Sequence, residues 1–220
     1  MRTVMLLPLL IVSAALAPPP SSKGPPACVA CRVDFTRIRS SYSAAQWRAL
    51  MQGQIVTSKT NHSQEDGAVQ SSVEASAIIP YPAARVWDVL ADFESRPDFT
   101  PGLKESHLVR VDGNRVWLAQ RVRVLWVNIR YQIIGTVDPE KGLMTWVLDK
   151  NVAHDIDRSE GSWQLAPLPE GPRTLVRYQA RVDTGQPVPG FIERFLVGRS
   201  LPKIVSGLRA EVARRAAATK

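Results

Sequence analysis

The sequence predicts an α+β fold in which a seven-stranded antiparallel sheet packs against one long C-terminal helix. Three observations support this prediction. Over residues 105–183 apolar and polar residues alternate with the period of a strand, and short turn-forming stretches interrupt the alternation. One helical segment separates these strands from an earlier strand that ends at Ile79. Finally, apolar residues recur with helical period from Pro189 to about Arg215.

Residues 1–17 have the features of an export signal. Arg2 precedes an apolar stretch that is too short to span a bilayer comfortably, and Ala15-Leu16-Ala17 matches the small-residue pattern of a signal-peptidase site. Because Pro18 would follow the cut, an uncleaved membrane anchor is the alternative. In either case we expect the rest of the chain to be periplasmic or secreted.

Residues 18–40 predict a Pro/Ser-rich linker, which contains the two cysteines of the chain, Cys28 and Cys31. A thioredoxin-type redox motif would need a strand before this pair and a helix after it. Haem attachment would need histidine in place of Arg32, and zinc would need further ligands nearby. We therefore expect a local disulfide in an oxidising compartment, or two thiols without a role.

Residues 41–68 predict a helix and a strand that precede the main domain. The helix runs from Ser43, which can cap it, to Met51, and Gly53 ends it. Residues 54–60 resemble a strand and residues 61–67 a polar turn. This strand could pair as a hairpin with the following strand over residues 69–79.

The main domain is predicted to begin at Val69 and to end near residue 217. After the first strand, Pro82 opens a helix whose buried face carries Val86, Leu90 and Phe93, with Trp87 beside them. Further strands are expected at residues 105–111, 114–125, 127–138, 143–149, 158–167 and 173–183. Their connections are short, so neighbouring strands should run antiparallel.

The last segment predicts one long amphipathic helix. Its apolar positions follow helical spacing: Ile192, Phe195, Leu196, Ile204, Val205, Leu208 and Val212. Charged residues, Glu211 among them, are expected on the opposite face. Pro202 removes a backbone donor, so we expect a kink or a break near Ser200.

Several short sequences resemble the START-like, helix-grip superfamily, and most closely its polyketide cyclase/dehydrase and coenzyme Q-binding branch. They are IIPYPAARVWDVLADFE over residues 78–94, RPDF over residues 96–99, Gly161-Ser162-Trp163, and VPGF over residues 188–191. The resemblance covers residues 69–215 and implies a curved sheet that grips the last helix around a cavity. It indicates the fold better than the activity, because functions diverge within such a fold.

Strand alternation predicts which side chains face this interior. In strand 114–125 the Arg121 and Arg123 side chains must point outwards, because an unpaired cation is costly to bury. The same argument places Arg130, Arg177 and Arg181 outside. The inward residues are then Val116, Leu118, Gln120, Val122, Val124, Ile129, Tyr131, Ile133, Met144, Trp146, Leu148, Trp163, Leu165, Val176, Tyr178, Ala180 and Val182.

This predicted interior is apolar and aromatic, and its polar groups are few. It contains no Asp, Glu, His or Lys, so we expect no catalytic residue, no metal site and no cofactor. His154 lies with Asp155 and Asp157 in a loop at the possible mouth of the cavity, where a solvated pair is the simpler interpretation. A solid core without a cavity would show the same pattern.

We therefore predict an exported module that binds a hydrophobic small molecule, such as a lipid, an isoprenoid or a polyketide. The expected ligand-binding residues are Gln120, Tyr131, Trp146, Trp163, Tyr178, Ala180, Ile192, Phe195 and Leu196. The alternative is a cyclase or dehydratase that uses Tyr131, Tyr178 and His154. The net charge of +8 is compatible with contact to an anionic membrane, whereas nucleic acid is not expected outside the cytoplasm.

Overall fold

The computed structural model describes residues 28–63, 69–183 and 201–218. The helices are α1 (Phe35–Ser40), α2 (Ala44–Met51), α3 (Ala83–Ala91) and α4 (Leu201–Ala218), and a 3-10 turn spans Arg96–Asp98. The strands are β1 (Val56–Ser63), β2 (Val69–Ile79), β3 (Leu103–Asp112), β4 (Arg115–Val124), β5 (Val127–Asp138), β6 (Leu143–Leu148), β7 (Arg158–Pro167) and β8 (Thr174–Asp183).

The strands form one antiparallel sheet in the order β1-β2-β8-β7-β6-β5-β4-β3. The α+β class and the helix-grip arrangement are as predicted, but the sheet has eight strands rather than seven. The additional strand is β1, which pairs with β2 in the hairpin that the sequence indicated. By pairing with β2, β1 extends the sheet beyond the seven predicted strands. The segment predicted to precede the main domain, residues 41–68, therefore contributes a strand to the same sheet.

The strand register places the predicted inward residues on one face. Leu118 pairs with Ile133, and Trp163 pairs with Tyr178, so alternate residues of neighbouring strands point to the same side. This inner face packs against α3 and α4 to form the main hydrophobic core. Val182 is the exception in burial, because it lies near the end of β8 and is 58 % exposed.

Helix α3 begins directly after Pro82 and buries the predicted residues Val86 and Leu90, together with Trp87. In α4, the predicted apolar residues Val205, Leu208 and Val212 are buried and Ile204 packs against the same core. Pro202 occupies the first turn of the described helix, where its missing N–H is tolerated. The predicted helix from residue 189 to residue 200, with Ile192, Phe195 and Leu196, lies outside the described residues.

Glu211 corrects the expected distribution of charge on α4. We predicted it on the charged face, but its residue is only 6 % exposed. Arg214 and Arg215 donate hydrogen bonds to its carboxylate at 2.6–2.7 Å, and these bonds hold its pKa down at about 2. Arg215 also pairs with Asp92 at 2.9 Å, which ties α4 to the residue after α3.

The outer face of the sheet is covered at one end by α1 and α2. Tyr42, Leu50, Ile78 and Leu175 are buried in this second core, and the Tyr42 hydroxyl lies 2.7 Å from the Ser76 hydroxyl on β2. Ser43 caps α2 as predicted, in a reciprocal capping box with Gln46. A helix of this length is marginal on its own, so the burial of Leu50 against the sheet stabilises it.

The described part of the predicted linker, residues 28–40, is folded onto the domain rather than extended. Ala30 is 3 % exposed and donates its N–H to the Pro139 carbonyl at 2.7 Å. Cys28 and Cys31 are joined by a disulfide around this contact, and Phe35–Ser40 forms α1. Among residues 28–63, 69–183 and 201–218, no helix is both long and apolar enough to cross a membrane.

Candidate functional site

Three aromatic rings form the centre of the inner face. The Tyr178 ring lies 5.8 Å from Trp146, nearly parallel to it, and 4.5 Å from Trp163, tilted by 51°. The strand order creates this cluster, because β7, which carries Trp163, lies between β6 and β8. Such offset pairs of rings are favourable in an apolar environment. The Trp146 ring lies over β7 at Gly161, in the space that a side chain at position 161 would occupy.

A small cavity adjoins these rings. Its lining is Phe93, Arg96, Val116, Leu118, Ile133, Gly135, Val137, Met144, Thr145, Trp146 and Trp163. The space admits the centre of one water molecule, with a volume of about 10 Å³. This cavity alone is therefore too small for a lipid, which would need further space along the inner face.

Among the described residues that line the cavity, Arg96 is the one cation. Its Nε and Nη2 atoms donate to the Leu90 carbonyl at 3.2 and 2.8 Å, a carbonyl in the last turn of α3. The guanidinium carbon stands 4.8 Å from the centre of the Phe93 ring. Burial lowers the pKa of Arg96 to about 10, so the side chain stays charged at neutral pH.

Two tyrosine hydroxyls also belong to this face. Burial raises the pKa of Tyr131 to about 12, and burial raises the pKa of Tyr178 as well. Among the described residues neither hydroxyl has a hydrogen-bond partner within the protein. Each is thus a protonated donor at neutral pH that a bound molecule could use.

The predicted ligand-binding residues fall into four groups. Trp146 and Trp163 line the cavity and Tyr178 packs on both. Gln120 and Tyr131 are cross-strand partners further along β4 and β5, and the Gln120 amide lies 3.5 Å from the Ser106 hydroxyl. Ala180 is buried and pairs with Gly161. The remaining three, Ile192, Phe195 and Leu196, lie outside the described residues, and whether any of the nine binds a ligand stays a prediction.

Arg96 was missed as a site residue because it directly precedes Pro97, in the stretch that ends the α3 segment. Alternation and helical spacing assign inward positions only within regular elements. The usable signal was an arginine that lies between two aromatic residues, Phe93 and Phe99.

The loop with His154 carries no catalytic arrangement in this structure. His154 is exposed, and its Nδ1 atom lies 2.7 Å from the Val152 carbonyl. The Asp155 carboxylate accepts the backbone N–H of Arg130 at 2.8 Å. Across residues 28–63, 69–183 and 201–218, no cluster of His, Cys, Asp and Glu side chains could hold a metal ion.

The outward arginines do not form one patch, because β5, β6 and β7 separate β4 from β8. Arg121 pairs with Glu105, Arg177 with Glu74, and Arg181 with Glu160. Arg123 and Arg130 form no ion pair with a described carboxylate, and both flank the β4–β5 turn. At the tip of this turn Trp126 is 73 % exposed.

The sequence profile of the polyketide cyclase/dehydrase and lipid transport family matches residues 79–209. This range is more than half of the 220 residues and contains α3, strands β3 to β8 and the described helix α4 as far as Arg209. The chain belongs to this family. The predicted resemblance is thereby confirmed at the level of the START-like superfamily, whereas binding of coenzyme Q stays a prediction.

Several solved structures share this fold at low sequence identity. A protein from Thermus thermophilus is 24 % identical, with a TM-score of 0.56; the match covers 66 % of this chain and 98 % of that one. The Zhui aromatase/cyclase from Streptomyces sp. R1128 is 18 % identical, with a TM-score of 0.57 and coverages of 66 % and 94 %.

A STAR-related lipid transfer protein from Xanthomonas axonopodis is 18 % identical, with a TM-score of 0.57; the match covers 72 % of this chain and 93 % of that fragment. At these identities the matches show the shared helix-grip fold and no shared activity. No curated protein matches the sequence.

Proposed function

We propose that this family member binds a hydrophobic small molecule between its sheet and its C-terminal helix, and that it acts as a carrier or a chaperone for that molecule. The observation that carries the proposal is the inner face itself. It joins apolar side chains and the rings of Trp146, Trp163 and Tyr178 to a few donors that have no partner among the described residues, which is the composition of small-molecule pockets. Family membership supports the same class of ligand.

The ligand would extend from the small cavity along the row formed by Tyr178, Tyr131 and Gln120. On this proposal Ile192, Phe195 and Leu196 supply the opposite wall, as their helical spacing predicts. A lipid, an isoprenoid or a polyketide would each match a wall of this kind, because apolar burial provides most of the binding free energy.

Native mass spectrometry of the protein purified from its own host under mild conditions tests this proposal. We expect a mass excess that disappears after organic extraction, and reloading of the stripped protein by the extract. A protein that purifies without bound molecules and takes up none from a total lipid extract would contradict the proposal.

A cyclase or dehydratase reaction in the same cavity is the second candidate. The observation in its favour is the pair of partly buried tyrosines, Tyr131 and Tyr178, whose hydroxyls have no hydrogen-bond partner among the described residues and could donate protons to a substrate oxygen. His154 no longer belongs to this candidate, since its ring is exposed. Turnover of a cyclisable polyketide that Tyr178→Phe abolishes, with ligand uptake retained, would favour the enzyme over the carrier.

We further propose that the chain is exported, and that the β4–β5 turn contacts an anionic membrane from which the ligand is taken. Trp126 projects between Leu125 and Val127, which are 43 % and 47 % exposed. Tryptophan favours the membrane–water interface, and each nearby basic residue adds about 1 kcal/mol near anionic lipid. Arg123 and Arg130 supply such charges beside the turn.

Co-sedimentation with vesicles tests the membrane contact. We expect binding to phosphatidylglycerol-rich vesicles to fall about fivefold in Trp126→Ala, in line with the loss of one interfacial aromatic side chain. Val111→Ala is the matched control, because Val111 is 55 % exposed but pairs with Val116 at the far end of β4. Equal binding of the wild type to neutral and anionic vesicles would show that Arg123 and Arg130 do not contribute to membrane binding.

A further inference from the structure

The cavity contains a cation that no described residue neutralises with an ion pair. The guanidinium of Arg96 lines the apolar cavity, between Phe93 and Met144. Its Nε and Nη2 atoms are satisfied by the Leu90 carbonyl. No described residue accepts a hydrogen bond from the third nitrogen, Nη1.

The carboxylate whose charge acts on Arg96 is already engaged elsewhere. Asp92 acts on Arg96 only through its electrostatic field, and its carboxylate pairs with Arg215 at 2.9 Å. Within the described parts of the chain, Arg96 therefore forms no ion pair. A charge next to apolar walls is costly unless an opposite charge or several hydrogen bonds compensate it. One neutral carbonyl, one ring face and the Met144 sulfur at 3.5 Å compensate it only in part.

Tyr178 adds a second donor near this cation. The Tyr178 ring lies 5.8 Å from Trp146 and 4.5 Å from Trp163, and both of these rings line the cavity together with Arg96. The charge of Arg96 also opposes the rise that burial causes in the pKa of Tyr178. The Tyr178 hydroxyl is unpartnered among the described residues, as described above. Arg96 lines the cavity, and Tyr178 packs on two rings of that lining. Both groups offer protons, so their common complement is an oxygen acceptor, and a charged one is bound most strongly.

We propose that the ligand is an amphiphilic carboxylate, whose apolar tail lies along the aromatic face and whose carboxylate receives hydrogen bonds from Arg96 and Tyr178. This inference rests on the proposed ligand-binding function and adds the chemical class of the ligand. Neutral lipids and sterols would fill the same walls but would leave the Arg96 charge without a counter-ion.

The test compares molecules with the same tail and different heads. Laurate, lauryl alcohol and methyl laurate are titrated into the stripped full-length protein at neutral pH, by isothermal titration calorimetry. We expect the wild type to bind laurate about ten- to a hundredfold more tightly than the alcohol, as hydrogen bonds to a charged group imply. Arg96→Met should reduce this preference to about threefold or less while the alcohol still binds.

Three variants control the comparison. Arg123→Met removes an exposed arginine and should keep the full preference for laurate. Arg96→Lys retains a charge without the guanidinium geometry and should keep part of it. Tyr178→Phe should lower the preference by about three- to tenfold. Arg96 also donates to the Leu90 carbonyl of α3, so Arg96→Met could fail to fold. In that case the Tyr178→Phe variant still tests the proposal.

The outcomes separate this inference from the function on which it rests. Equal affinity of the wild type for laurate and lauryl alcohol would overturn the carboxylate proposal and leave hydrophobic ligand binding in place. A preference that persists in Arg96→Met would assign it to another group and would also overturn the proposal. Binding of none of the three molecules, together with an empty protein in native mass spectrometry, would overturn the proposed function itself.

Discussion

The indole ring of Trp146 lies over Gly161 on the neighbouring strand, in the space that a side chain at position 161 would occupy. A Cβ atom at Gly161 would collide both with a ring carbon of Trp146 and with the Gln179 carbonyl oxygen. Trp146 and Gly161 are cross-strand partners. The absence of one side chain therefore sets the position of a ring that lines the cavity.

Substitution of Gly161 by alanine should displace Trp146 and destabilise the fold. Part of the contact is with a backbone oxygen, which cannot move without disturbing the β7–β8 pairing. We expect the free energy of unfolding to fall by about 1–3 kcal/mol, the usual cost of overpacking, and the near-ultraviolet circular dichroism to change. Ser162→Ala, one residue along on the other face, is the control and should change both by little. Wild-type stability in Gly161→Ala would show that the ring has room to move.

Gly207→Ala should destabilise the protein although alanine favours helices. On helix propensity alone the change would stabilise α4 by about 1 kcal/mol. In the structure, however, the new Cβ atom would collide with the Phe99 carbonyl oxygen, so α4 would have to move away from the 3-10 turn. We expect a net loss of about 1–3 kcal/mol in chemical denaturation. The reverse change at the exposed Ala210, Ala210→Gly, should cost only the propensity difference.

Stability should decline in acid through Glu211. Its pKa is lowered to about 2 in the folded chain, chiefly by the hydrogen bonds from Arg214, whereas its ordinary value is 4.5. A lowered pKa means that the folded state releases this proton more readily than the unfolded state. The stabilisation is therefore complete above about pH 4.5 and is lost as the pH falls towards about 2.

The variant Glu211→Gln should remove this part of the acid dependence. Because Arg214 is largely exposed, we expect a loss of about 2 kcal/mol at neutral pH rather than the full value of the shift. Urea denaturation between about pH 2 and pH 7 would measure it. Glu170→Gln is the control, since the Glu170 side chain is 83 % exposed. Parallel stability curves for the wild type and Glu211→Gln would contradict the assignment.

Ala180→Trp should block ligand uptake and leave the fold nearly intact. Ala180 is buried on the interior face and pairs with Gly161, whose side-chain space the Trp146 ring fills. The short Ala180 side chain therefore borders the space proposed for the ligand. A tryptophan there would fill this space as a ligand would. The measurement is uptake from a lipid extract by the stripped protein, with Val182→Trp, two residues further along the same face and exposed, as the control. Unchanged uptake in Ala180→Trp would show that the ligand binds elsewhere.

Much of the sheet could be predicted because the sequence contains strong physical constraints. Arg121 and Arg123 cannot be buried unpaired, and this fixes the orientation of β4 and, through cross-strand register, of its neighbours. Trp146, Trp163 and Tyr178 were thus assigned to the interior although they are distant in sequence. Residues between the elements obey no such period, which is why the cation at Arg96 was not foreseen.

The other two differences, at Glu211 and at residues 28–40, arise from contacts between residues that are far apart in sequence. From helical spacing alone, Glu211 is expected at the surface. Its partner Arg215 also pairs with Asp92, which is distant in sequence, and a helical pattern cannot include such a contact. Likewise, the composition of the stretch up to Pro26 suggests a linker that continues through residues 28–40. The packing of residues 28–40 depends on the Pro139 carbonyl and on a sheet face that is assembled only in the folded chain. Neither relationship leaves a local signature.

The distribution of tryptophans gives the protein optical reporters at its two most informative places. Of the six tryptophans in the sequence, Trp146 and Trp163 border the cavity and should emit at short wavelength. Trp126 stands in solvent at the β4–β5 turn and should emit at long wavelength. A filled cavity would alter the first signal, and contact with a bilayer would shift the second towards the blue. Unlabelled protein can therefore report the order in which surface contact and cargo transfer occur.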